Sequence, residues 1–163
     1  MAGIAINGKT AYCAKRSQTS SNIFVIENIA SASFDALNGK TPVSIPYAVH
    51  GMTYHNNYLY MTCYKNTIIK MPVSSIGKIA AEYTVTEDGN GYIPQSITYY
   101  GTVNNEDLFI VGVEKMQKNG AFFYMIGSLS NGKFVEKKRF YVNNSAGYEQ
   151  PQDIFYHSKY GLF

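Results

Sequence analysis

Few residues in this 163-residue chain have the type and spacing to do chemistry. The histidines are His50, His55 and His157, and the cysteines are Cys13 and Cys63. A histidine acts as a base when a nucleophile or an orienting carboxylate lies within hydrogen-bond reach. For His50 the acids placed to serve are Glu149 and Asp153. His55 and His157 fall at or just after the ends of predicted strands, at the other end from His50, so no three-histidine metal site is expected. His55 is read as a polar turn residue. Neither cysteine sits in a Cys-x-x-Cys or Cys-His cluster, so no metal is implied, and both are read as buried thiols within strands. The Gly-rich stretch Glu87-Asp88-Gly89-Asn90-Gly91 resembles a calcium loop until it is set on the EF-hand template. Thr86 and Ile97 then occupy the first and twelfth positions, where carboxylates are needed. Dinucleotide, phosphate-loop and nucleophile-elbow motifs are absent, and no cofactor is called for. The chemistry on offer is therefore mainly non-covalent.

The elements that must position these residues recur along the chain. Gly3-Ile4-Ala5-Ile6, Gly51-Met52-Thr53-Tyr54, Ser96-Ile97-Thr98-Tyr99 and Asp153-Ile154-Phe155-Tyr156 align, each followed by a turn and a second apolar run. Their starts are 48, 45 and 57 residues apart. Such periods suit propeller blades of four strands. A third apolar strand follows in each of the first three units: residues 23–26, 68–71 and 122–126. A more polar fourth strand is expected at residues 78–85 and 133–142, and a weak one at residues 32–37. Asn131-Gly132 between alternating apolar runs is a strong hairpin signal. Tyr (15) and Phe (9) are abundant, which fits pleated, half-buried surfaces. The expectation is an all-β chain, a β-propeller segment of about three and a half four-stranded antiparallel blades. These are residues 1–45, 46–90, 91–147 and, for the half blade, 148–163. A partial array leaves end faces uncovered, so closure is expected from a missing remainder of the chain or from a second copy.

The repeat register turns scattered residues into one structural position. His50, Gln95 and Gln152 stand just before successive inner strands, with Ala2 in the first unit. Tyr47, Tyr92 and Tyr148 lie a few residues earlier, and Asp153 directly follows Gln152. A ring of His and Gln offers donors and acceptors to one axis, and tyrosines pair flat apolar area with a hydroxyl. The competing reading is that these side chains brace loops. The formal charge of +3 and pI of about 8.7, with the basic residues Lys133, Lys137, Lys138 and Arg139 split between strand faces, do not mark a nucleic-acid interface. No apolar run is long enough to insert in a membrane as a helix.

Pro94-Gln95-Ser96-Ile97-Thr98-Tyr99 and Pro151-Gln152-Asp153-Ile154-Phe155-Tyr156 resemble the blade entry of six- and seven-bladed propellers of the broad NHL-like group. Val49-His50-Gly51-Met52 departs from that entry by lacking the proline, as does the first unit. The resemblance implies a fold and no particular activity. The expected function is a module that binds a glycan, peptide or protein ligand at a polar and aromatic axial site. A lyase- or hydrolase-type enzyme with His50 as base is the alternative, and a structural half-propeller acting by assembly is a second. The low charge and abundant Tyr, Asn, Ser and Gly lean toward a secreted or cell-surface setting.

Overall fold

A computed structural model describes residues 2–32, 37–86, 91–115, 122–142, 156–157 and 161–162. Its described residues form an all-β architecture. The first meander is β1 (Gly3–Asn7), β2 (Thr10–Arg16), β3 (Ser21–Ile26) and β4 (Val43–Ile45), hydrogen-bonded in that order. The second is β5 (Val49–His55), β6 (Tyr58–Cys63), β7 (Thr67–Pro72) and β8 (Ala81–Thr84). The third is β9 (Tyr92–Val103), β10 (Glu106–Lys115), β11 (Phe122–Ser130) and β12 (Lys133–Val142), followed by the pair β13 (Tyr156–His157) and β14 (Gly161–Leu162). The first strands of the three meanders lie side by side, β1 against β5 and β5 against β9. The outer strands β8 and β12 touch through one parallel bridge, Lys133 opposite Thr84, with the Thr84 N–H donating to the Gly132 carbonyl. Four-stranded antiparallel units fanning from neighbouring inner strands make a segment of β-propeller.

The turns follow from local residues. Asn56-Asn57 and Asn104-Asn105 take left-handed backbone, with φ of 46°, 63°, 51° and 63°, between strands in two-residue register. Asparagine tolerates that region, and such turns match the twist of the strands they join. Asn131-Gly132 closes β11 onto β12 in the same way.

The middle meander is buried on both faces. Leu59, Met61 and Cys63 of β6 join a core with Tyr12, Ala14, Ile23 and Ile45 of the first unit. Tyr60 joins the opposite core with Ile97, Phe109, Val111, Phe123 and Met125 of the third. Inner strands pack with almost no space between backbones. A Cβ on Gly51 would stand 2.8 Å from the Ser96 Cα and 2.9 Å from the Gln95 carbonyl oxygen.

Two strand expectations need correction. The strand paired with β3 in the first unit is Val43–Ile45; of the expected residues 32–37, 33–36 lie outside the described residues. Before it come a 3-10 turn at Ile29–Ser31 and a turn through residues 37–39. The inner strands begin earlier than the motif suggests, so His50, Tyr92 and Gln95 lie inside strands rather than in the loops before them. Around residues 101–107, β9 and β10 run on to a two-residue turn, with a bulge beside Tyr99.

Candidate functional site

His50 and Gln95 emerge from the same local irregularity in consecutive units. In β5–β6, Val49 faces Cys63 and Gly51 faces Thr62, leaving His50 unpaired. In β9–β10, Pro94 faces Val113 and Ser96 faces Gly112, leaving Gln95 unpaired. An extra residue in one strand of an antiparallel pair is a β-bulge, which bends the strand and re-aims the side chain. Pro94 is tolerated beside it because a bulge does not require every N–H in the ladder.

The two re-aimed side chains meet. The Gln95 amide nitrogen donates to Glu114 Oε2 at 2.7 Å. A carboxylate only accepts, so this contact orients the amide and turns Gln95 Oε1 toward His50. His50 Nδ1 lies 2.7 Å from that oxygen and must carry the proton, which leaves a lone pair on Nε2. The Arg16 guanidinium approaches both ring nitrogens, at 3.0 and 2.9 Å. Nδ1 is already a donor, so Nε2 alone can accept from it. Burial holds the His50 pKa below its ordinary value; the Arg16 charge adds to this, while Gln95 and Glu114 oppose it. His50 is therefore neutral near pH 7.

Arg16, His50, Gln95 and Glu114 thus form a polar chain across three blades. The registers Ala14 opposite Gly3, Thr62 opposite Gly51 and Gly112 opposite Ser96 place Arg16, Tyr64 and Glu114 at equivalent points, two residues further along the second strand of each unit. Tyr64 is 44% exposed, and its ring stacks with His50 at a centroid distance of 6.3 Å. Together Arg16, Ser17, Gln18, Ala48, His50 and Tyr64 line an open groove of about 410 Å³. Ser17 Oγ is hydrogen-bonded to Ser20, and Arg16 covers His50 Nε2, so no nucleophile–base pair forms in this groove.

The remaining expected site residues lie apart or outside the described residues. The Tyr47 hydroxyl donates to Glu82 of β8, and that bond raises its pKa to about 12. Tyr92 packs edge-on to Phe123 and lines a second concavity with Phe134 and Arg139. Tyr148, Gln152 and Asp153, with Glu149, lie outside the described residues. Arg16, Tyr64 and Glu114 were not singled out from sequence, although carrying the repeat register to the end of the second strand would have found them.

His55 is not a simple turn residue. Its Nε2 lies 2.9 Å from Asp107 Oδ2, its ring stacks on Tyr99 at 3.7 Å, and its side chain is only 13% exposed. Asp107 also accepts from the Thr102 hydroxyl at 2.6 Å. That bond is the main reason its pKa falls, with His55 adding to it. This cluster ties the second blade to the third at the far end of the inner strands. Among the described residues no three His, Cys, Asp or Glu side chains group to hold a metal ion, and no helix is long and apolar enough to cross a membrane.

No protein-family model and no curated protein matches the chain. Among solved structures it is similar to BamB from Moraxella catarrhalis, at 12% identity and a TM-score of 0.45, over 94% of this chain and 41% of that one. It is also similar to a structure described as the Dos1 propeller, at 11% identity and a TM-score of 0.42, over 88% of this chain and 49% of that one. The chain spans less than half the length of either. The fold assignment rests on the strand order and register above, and these likenesses add no function to it.

Proposed function

We propose that this chain is a propeller binding module whose ligand docks where the bulge residues emerge from the inner strands. The observation that carries this is the hydrogen-bonded chain Arg16–His50–Gln95–Glu114, which crosses three blades beside an open groove. Concave sites with a few convergent polar groups are the usual places for ligands. On this reading Gln152, Asp153 and Tyr148 of the fourth unit continue the polar layer, as the repeat register supports, while Tyr47 and Tyr92 stay with Glu82 and Phe123 outside it. The blade limits at residues 45, 90 and 147 and an NHL-like affiliation, suggested by the Pro94-Gln95 entry, belong to the same proposal.

A panel of neutral and charged oligosaccharides and short peptides, screened by amide chemical-shift mapping, tests the role. Shifts clustering at Arg16, His50, Tyr64 and Gln95, and lost in the double variant H50A/Q95A, are the expected result. Shifts confined to other surfaces would refute it.

A further inference from the structure

We infer that the ligand of this groove is an acidic saccharide, its carboxylate seated on Arg16; this rests on the binding role proposed above. Among the described residues Arg16 has no carboxylate partner. It contacts His50, where one guanidinium nitrogen spans the two ring nitrogens. Only one of those can accept, so among the described residues most of the five guanidinium donors stay unengaged at the groove wall. A planar guanidinium matches a carboxylate in paired, charge-assisted hydrogen bonds.

The lining favours a sugar over a peptide as the bearer of that charge. β2 is paired on both edges, to β1 and β3, and β6 to β5 and β7, while β5, paired only to β6, is packed at Gly51 against the Ser96 and Gln95 backbone, which leaves no room there for an added peptide strand. Ala48 is its only aliphatic wall, so it has no apolar pocket for an anchoring side chain. It does have the exposed Tyr64 ring, with Ser17 and Gln18 beside it. A flat aromatic face suits the C–H face of a pyranose, and Ser and Gln suit its hydroxyls.

The probes are a galacturonate trisaccharide, its methyl ester and a tri-glutamate peptide, titrated calorimetrically at low and moderate salt. The acid is expected to bind and to weaken as salt rises. The ester is expected to bind about tenfold more weakly, and Arg16→Gln to reproduce that loss with melting unchanged. Arg16→Lys, which keeps the charge but not the fork, should fall between. Equal binding of acid and ester, or an unaffected R16Q, would overturn the acidic assignment; shifts at His50 and Gln95 in that case would leave the binding role intact. Preference for tri-glutamate, or no binding of the trisaccharide at millimolar concentration, would overturn the saccharide assignment.

Discussion

His50 and His55 show how one residue type takes different work from its neighbours. The folded His50 has a lowered pKa, so between the folded and unfolded values the unfolded chain binds the extra proton. Stability from this residue is full above the unfolded value, about 6.5, and falls as pH drops below it. Urea melts at pH 7 and pH 5.5 should show a loss that shrinks in His50→Gln. Asp107 acts in a lower window: its contribution is present above its unfolded pKa near 4 and is lost as pH falls through the depressed folded value. His55→Ala removes the hydrogen bond to Asp107 and the Tyr99 stack, and should cost about 1–2 kcal/mol by chemical denaturation. Sequence made His50 and Gln95 legible because a repeat carries register with it. It hid the His55–Asp107 pair because the partners stand 52 residues apart and meet only across blades.

At the scale of the strand, closeness of backbones governs. Gly51→Ala would drive a methyl group against the Ser96 Cα and Gln95 carbonyl, which are backbone and cannot rotate away. A loss of about 2–3 kcal/mol is expected, measured as a lower urea midpoint, with Ala2→Gly as a near-neutral control. The asparagine turns and inner strands were readable because they rest on local residues: paired Asn at positive φ and short alternating runs. Strand β4 was not. Only three residues long and mostly exposed, it is held by pairing with β3 and by burial of Ile45, which are tertiary effects. The bulges were also unreadable. They are set by where one strand must slip against its partner, and Gly51 and Ser96 mark that place only once the packing is seen.

For the molecule as a whole, the doubly buried middle meander makes the blades interdependent. Phe109 lies in the core shared by the second and third units, so Phe109→Ala should cost about 3–5 kcal/mol. Hydrogen exchange should quicken in β5–β8 as well as β9–β12; quickening confined to the third unit would mean the blades unfold separately. The bulges have the opposite character. Each leaves one residue outside the ladder, so its identity is not dictated by pairing. His50 and Gln95 already differ at this one position while the strands around them keep their order. The second and third blades thus each carry one freely spelled letter, and lineages could rewrite what the end face recognises by changing those letters while the framework stays the same.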